Sequence, residues 1–300
     1  MKPGTTSRWD NKLSWLIRGQ SQKASHALLA PSSLWLLIFL LLPVVWLLAL
    51  SFTSRGPYGS FVWSFSLDNY ARALNAKYLP IVLRTIAYAS TTTFLCLLLG
   101  FPVAYYLSFF AGTSRRERLM IGLMIPFWTS SLVAIYCWII ILGQEGLLNN
   151  ILTRLGLVRS PLMLLNTPFS VILGMVYFYL PFMILPLYSS LEKIPHDYIE
   201  AAHDLGAGMI RTFFQITLPL SLPGVIAGCI LTFIPCMGDF LTANFLGGPN
   251  TYLLGNLIEN QFLMSQDWPF GAALAALLLL SLFSGLYFYQ RLEAKEMGHT

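Results

Sequence analysis

Charged side chains are scarce in this 300-residue chain. Asp, Glu, Lys and Arg together make up 10% of it and apolar residues 56%, whereas a soluble domain carries about 25% charged residues. A soluble protein with so few charges could not cover its surface with hydrated groups, so the composition indicates an integral membrane protein. The basic residues behind the net charge of +5 lie between apolar runs rather than on one face, which argues against nucleic-acid binding.

Motifs for nucleotide hydrolysis, metal binding and nucleophilic catalysis are also missing. None of the lysines follows a glycine, so the chain has no G-x-x-x-x-G-K-S/T loop to hold a nucleotide phosphate. There is no H-E-x-x-H motif and no nucleophile elbow, and the histidines are too dispersed for a metal site: His26, His196, His203 and His299. The cysteines lie in apolar segments without a C-x-x-C pair, as is typical of small packing residues. We therefore predict a non-enzyme that uses no cofactor and no metal.

Long apolar runs are what the sequence has in abundance. A helix needs about 20 apolar residues to cross about 30 Å of hydrocarbon. Six runs meet this length: Leu34–Phe52, Thr85–Phe110, Leu119–Leu142, Pro168–Leu191, Leu218–Leu241 and Phe270–Tyr289. They predict an all-α polytopic membrane protein with six transmembrane helices. Gly224 and Gly228, at the start of the fifth run, have the spacing that lets two helices approach closely.

The basic residues predict the orientation of these helices. Twelve of the 18 lysines and arginines lie in the two tails and in the loops on the same side, and six lie in the opposite loops. Because lysine and arginine are enriched on the cytoplasmic side, we expect both termini in the cytoplasm. The predicted organisation is a cytoplasmic tail over 1–33, a transmembrane domain over 34–290 and a second cytoplasmic tail over 291–300.

A polar loop over about residues 192–217 separates the fourth and fifth runs and is too polar to cross lipid. Pro195 suits the first turn of a helix, and Asp197 and Glu200 have the spacing of a capping box with Asp197 as the cap. The apolar face of this helix would consist of Ile199, Ala202 and Leu205.

Glycines end that first helix, and a second one follows. Gly206 and Gly208 are the breaking residues, and Met209–Ile216 is predicted as a short helix that leads through Pro219 into the fifth run. The polar loop is therefore expected to form a helix–turn–helix on the cytoplasmic surface, with small residues where a partner can pack closely.

The polar loop resembles the E-A-A loop of inner-membrane permeases of ABC importers. The resemblance rests on Glu200-Ala201-Ala202, then Gly206, then Leu218-Pro219. In that family this loop is the coupling helix that fits a cleft of the ATP-hydrolysing subunit. The resemblance implies that coupling to the ATPase depends on Glu200, Ala201, Ala202, Asp204 and Gly206.

Further motifs resemble the permeases of spermidine/putrescine importers. They are P-F-M-x-L-P-L-Y-S-S-L-E-K, E-A-A-x-D-L-G-A, S-L-P-G-V-I-A-G, F-I-P-C-M-G-D-F, L-G-G-P, G-N-L-I-x-x-Q-F and D-W-P-F-G-A-A. The resemblance covers most of residues 30–290. It departs from the family at Ala134–Trp138, where these permeases often carry an arginine.

This resemblance implies a pore subunit, of the ABC importer permease type, in a bacterial inner membrane. Its expected partners are a dimer of ATP-hydrolysing subunits, a second homologous permease, an external binding protein that delivers a polyamine, and membrane lipid. Two rival readings stay open: a permease for another small organic or metal solute, and a secondary transporter without an ATPase. A membrane scaffold or receptor is disfavoured by the polar loop.

Asp239 is the one acidic residue inside a predicted span, and an ionisable residue there indicates function by default. A carboxylate in a pore would favour a cationic substrate, although Asp239 could equally cap a helix or lie at the outer membrane boundary. Aromatic rings attract alkylammonium groups. The candidate pathway residues are therefore Asp239, Thr232, Tyr136, Trp138, Tyr177 and Tyr188. Glu259 and Asp267, in the loop after the fifth run, are expected to face outside, where they would meet a binding protein, an arriving cation or only solvent.

Overall fold

The computed structural model of the protein describes residues 31–297, and this part of the chain is mostly helical. The first half contains α1 (Pro31–Ser51), a hairpin of β1 (Ser54–Arg55) and β2 (Phe61–Val62), α2 (Asp68–Ala73), α3 (Leu79–Phe109), α4 (Thr113–Trp128), α5 (Ser131–Leu142) and α6 (Leu147–Arg154). The hairpin strands are antiparallel, with Ser54 opposite Val62.

The second half contains the polar loop and the remaining helices. These are α7 (Pro168–Leu191), α8 (His196–Asp204), α9 (Met209–Thr212), α10 (Leu218–Gly238), α11 (Leu241–Leu246), α12 (Leu254–Leu263) and α13 (Trp268–Met297). Within the described residues, six helical stretches are long and apolar enough to cross a membrane, which confirms the predicted number. They are Pro31–Ser51, Ala76–Phe109, Ser131–Arg154, Pro168–Leu191, Met209–Gly238 and Trp268–Tyr287.

The core is formed by α3, α7 and α10, which pack against one another along their lengths. Its buried side chains include Leu107, Met183, Ile184, Leu187 and Leu191. A Cβ on Gly224 would lie 2.8 Å from the carbonyl oxygen of Pro186, and one on Gly228 would lie 3.1 Å from that of Met183. The predicted close approach at these two glycines is confirmed, and it joins α10 to α7.

The third predicted span is wrong as a single helix. The chain becomes extended at Thr129 and Ser130, so that α4 ends and α5 begins inside the apolar run. Pro126 lies in the last turn of α4 and removes one donor from the helix ladder. Ser130 occupies the N-cap of α5, a position that serine favours.

The end of the fifth predicted span is also wrong. Helix α10 ends at Gly238, and Asp239 is extended with φ −68° and ψ 117°. The Met209–Ile216 helix is not separate either, because α9 continues through a π-helical turn at Phe213–Thr217 into α10. Pro219 follows that turn and lacks the N–H that would continue a regular α-helical ladder.

Candidate functional site

Helix α8 of the polar loop begins differently from the prediction. Its N-cap is Pro195, with ψ 135°, and no side chain caps the helix. The capping box of Asp197 and Glu200 is therefore wrong, because the helix begins two residues earlier than this cap predicts and Asp197 lies in its first turn. A carboxylate there still stabilises the positive end of the helix dipole.

Gly206 ends α8, as predicted. Its φ of +81° is in the left-handed region that only glycine enters at little cost. The Ala207 N–H donates to the Ala202 carbonyl and the Gly206 N–H to the His203 carbonyl, both at 2.9 Å. This pair of bonds is the Schellman arrangement, and it gives α8 a defined C-terminal end.

One side of α8 packs on the protein and the other is open. Ala202 is buried and Ile199 is half-buried, whereas Leu205, predicted on the same apolar face, is 90% exposed. The prediction for Leu205 is wrong because this residue is the C-cap, where the chain leaves the helical path. Glu200, Ala201, Asp204 and Gly206 are exposed as well.

Exposed apolar residues surround this open side. Tyr198 is 54%, Met209 68% and Ile210 76% exposed. Tyr198 and Leu205 line one groove beside α8, together with Ala201 and Ala202. The four exposed residues Tyr198, Leu205, Met209 and Ile210 are here called the α8 surface, and exposed apolar side chains on a polar loop suit contact with a partner.

An ion pair joins the start of the polar loop to α4. Arg116 Nη1 lies 2.8 Å from Glu192 Oε1, and the Arg116 guanidinium lies 5.9 Å from the centre of the Tyr188 ring. Tyr188, a candidate pathway residue, is therefore placed at the polar-loop end of α7.

Asp239 lies in the break between α10 and α11. Its Oδ1 accepts a bond from the Thr242 N–H at 3.0 Å, and its Oδ2 accepts bonds from Thr242 Oγ1 at 2.7 Å and from the Tyr179 hydroxyl at 3.2 Å. Asp239 therefore does stabilise the first turn of α11. It is half-buried, and it also lines a cavity.

This cavity, here called the Asp239 cavity, has a volume of about 260 Å³. It lies where α4 ends, α5 begins, and α10 gives way to α11. Its lining residues are Pro126, Phe127, Thr129, Ser131, Ile135, Phe178, Tyr179, Phe182, Asp239, Leu241 and Thr242.

The other candidate pathway residues are not brought to Asp239. Trp138 and Tyr177 form an edge-to-face pair with ring centres 5.6 Å apart, and the exposed Tyr136 lies 5.9 Å from Phe245. Thr232 is fully buried, and its hydroxyl has no hydrogen-bond partner among residues 31–297.

Tyr179 was missed at the sequence level. Tyr177 and Tyr188 share one face of α7, and a residue two positions after Tyr177 is rotated by about 200° around the helix. The only signal was its place in an aromatic run, Tyr177-Phe178-Tyr179.

The two acidic residues that were expected to face outside both bind other side chains of this chain. The Asp267 side chain is only 2% exposed and pairs with Arg72 at 3.0 Å and Arg55 at 3.9 Å. The half-buried Glu259 accepts a bond from the Asn244 side chain. The expectation that Asp267 meets a cation or a binding protein is wrong, because both arginines are supplied by this chain.

Comparison with known proteins agrees with this architecture. Residues 96–297 match the family model of the binding-protein-dependent transport system inner membrane component. The spermidine/putrescine transport system permease protein PotB of Haemophilus influenzae is 39% identical over 92% of this chain and 95% of its own length. PotB of Escherichia coli is 42% identical over 86% of this chain and 93% of its own length.

A solved structure shares the fold. A chain in the crystal structure of a bacterial alginate ABC transporter, in complex with alginate pentasaccharide-bound periplasmic protein, matches with a TM-score of 0.65 and 20% identity. The match covers 93% of this chain and 94% of that one. By its sequence and its fold, this chain belongs to the family of binding-protein-dependent transport system inner membrane components.

Proposed function

We propose that this chain is a pore-forming subunit of an ABC importer for polyamines such as spermidine and putrescine. The observation that carries the proposal is the 39–42% identity to spermidine/putrescine permeases over nearly their whole length. In this proposal the chain lies in a bacterial inner membrane with both termini in the cytoplasm. The polar loop is then cytoplasmic, and the hairpin and α2 lie outside.

In this proposal the free energy of ATP hydrolysis reaches the chain through the polar loop. The chain has no ATPase of its own, and a dimer of ATP-hydrolysing subunits receives α8 in a cleft. Ala201 allows close approach on the exposed side, Glu200 and Asp204 offer carboxylates to basic groups, and Gly206 fixes the end of the helix. A helix with defined ends moves as a rigid body, so closure of the ATPase dimer tilts the helices attached to it.

The pathway lies between this chain and a second, homologous permease, and an external binding protein delivers the substrate. Nearly all side chains of helix α1 are exposed in the single chain, and in this proposal lipid or a neighbouring subunit covers them. The candidate pathway residues remain Asp239, Tyr177, Tyr188, Tyr136, Trp138 and Thr232. In this conformation Asp239 lines a cavity, whereas Thr232 is closed off.

The proposal is tested by the ATPase activity of the complete complex in lipid vesicles. We expect a binding protein loaded with spermidine or putrescine to stimulate ATP hydrolysis, and the empty binding protein to stimulate it much less. Stimulation only by a different solute would leave an importer with another substrate. Solute-dependent transport that needs an ion gradient and no ATPase would contradict the proposal.

A further inference from the structure

We propose that the Asp239 cavity binds one terminal ammonium group of the transported polyamine. This inference rests on the proposed function and adds the part of the pathway that recognises the amine. Four observations carry it: the depth of the cavity, the missing counter-charge, the aromatic walls and the volume.

The cavity lies deep in the membrane-spanning part of the protein. Asp239 follows the last residue of α10, but its carboxylate bonds to Tyr179, which is near the middle of the 24-residue α7. An ionisable group at such depth is costly and is usually retained for function. Irregular backbone at membrane depth is tolerated only where protein buries it or where it lines a polar cavity, and the α10–α11 break fits this rule.

The carboxylate of Asp239 has no counter-charge in the described part of the chain. Its bonds come from the Thr242 N–H, the Thr242 hydroxyl and the Tyr179 hydroxyl, all of them neutral donors. The buried carboxylate of Asp267, in contrast, pairs with two arginines. No basic side chain of the described residues therefore competes with a cationic ligand for Asp239.

The remaining walls suit an alkylammonium group. Phe127 and Phe182 meet edge to face with ring centres 4.9 Å apart, and Tyr179 lies 6.3 Å from Phe182. Ring faces attract ammonium groups, most strongly in a desolvated site, and also pack against methylene chains. A carboxylate beside aromatic rings thus recognises a charged amine on an aliphatic chain, and it repels anions.

The volume of the cavity limits the size of the group that it can bind. Its volume of about 260 Å³ is below the range of about 300–1,000 Å³ in which whole drug-sized ligands are bound. We therefore assign it to one terminal ammonium with the adjoining methylene groups, while the rest of the polyamine extends into the pathway. The side chain of Asp239 would supply the charge, and Phe127 and Phe182 the apolar walls.

The test compares spermidine uptake by vesicles that hold the complete complex with wild-type or variant chain. Asp239→Asn removes the charge and keeps an oxygen for the Thr242 N–H, while its amide nitrogen donates where Oδ2 accepts from the Thr242 and Tyr179 hydroxyls. Phe182→Leu keeps an apolar side chain and removes the ring. Asp68→Asn is the matched control, because Asp68 is an exposed carboxylate on α2, away from the cavity. Co-purification of all subunits and the basal ATPase rate show that each complex is assembled.

We expect Asp239→Asn to raise the KM for spermidine by about tenfold or more, since hydrogen bonds to charged groups are the stronger class. Phe182→Leu should raise it several-fold, and Asp68→Asn should leave it unchanged. If the wild-type complex transports spermidine and both cavity variants keep its KM within about twofold, the subsite is refuted while the importer stands. A wild-type complex that transports no polyamine refutes the proposed function and the subsite together.

Discussion

Glycine residues, rather than large apolar side chains, set the distance between α7 and α10. At Gly224 an added Cβ would meet Ser190 and the carbonyl oxygen of Pro186, and backbone atoms cannot move aside as flexible side chains do. The close approach depends on single glycine residues. The loss of stability when one of them is substituted therefore measures how closely the two helices pack.

We predict that Gly224→Ala destabilises the protein by about 1–3 kcal/mol, the usual cost of overpacking a close contact. The measurement is the thermal unfolding midpoint in detergent. Gly122→Ala in α4 is the matched control, because a Cβ there meets nothing within 4 Å. The control should be neutral or stabilising by up to about 1 kcal/mol, since alanine is the better helix former. Equal midpoints for both variants would contradict the account of α7–α10 packing.

In the proposed function, helix α8 is the element on which coupling to the ATP-hydrolysing subunit depends. Its Schellman end fixes its shape, and its open side exposes Leu205 and Tyr198. Exposed apolar side chains become favourable contacts only when a partner covers them. We therefore expect the affinity for the ATP-hydrolysing subunit to depend on the α8 surface.

Leu205→Ser is predicted to weaken the binding of the ATP-hydrolysing subunit by about tenfold or more, because burying a leucine contributes about 1.5–3 kcal/mol. Leu155→Ser is the control. Leu155 is also exposed, at 68%, but it follows α6, outside the polar loop. The affinity of the detergent-solubilised chain for the ATPase subunit is the quantity to measure. If both variants bind as the wild type does, α8 docks by another side.

Helix α4 connects the polar loop with the Asp239 cavity. Its first turns hold Arg116, which pairs with Glu192, and its last turn supplies Pro126 and Phe127 to the cavity. We predict that Arg116→Glu lowers the polyamine transported per ATP hydrolysed while stability changes by less than about 1 kcal/mol, because both side chains are partly exposed and solvent screens the pair. The double variant Arg116→Glu with Glu192→Arg should recover the ratio. A double variant no better than the single one would show that the pair does not link the two sites.

The positions of the helix breaks could not be predicted from the sequence. Apolar length gave the number of spans, and for α7 it gave both ends, because Pro168 and the polar residues after Leu191 mark them. The breaks at Thr129 and Asp239 lie inside apolar runs that are long enough to pass as uninterrupted helices despite a few polar residues. They depend on contacts between distant segments, such as Tyr179 with Asp239. The same reason explains why the candidate site was only partly found.

At the scale of the whole molecule, the end opposite the polar loop is held together by ion pairs as well as by apolar packing. Asp267, at the start of α13, pairs with Arg72 of α2 and Arg55 of β1, and Arg55 also donates to the Ser265 carbonyl at 2.7 Å. The Arg72 guanidinium lies 4.2 Å from the centre of the Phe270 ring. These contacts join the hairpin, α2 and α13 into one unit.

We predict that Arg72→Ala destabilises the protein by about 1–3 kcal/mol, because the buried Asp267 carboxylate loses its shorter charged partner. The midpoint of thermal unfolding measures the effect. Arg154→Ala serves as the control, since none of the ion pairs in the described residues involves Arg154. Similar midpoints for the two variants would show that solvent already screens the Arg72–Asp267 pair.

The most direct test of an ATP-driven polyamine importer is the uptake of labelled spermidine into vesicles that hold the complete complex, with the binding protein outside the membrane and ATP on the ATPase side. We expect uptake that requires hydrolysable ATP, that persists when ion gradients are collapsed, and that Glu200→Ala strongly reduces without preventing assembly. Uptake that proceeds without the ATPase subunits, or that follows an ion gradient alone, would contradict it.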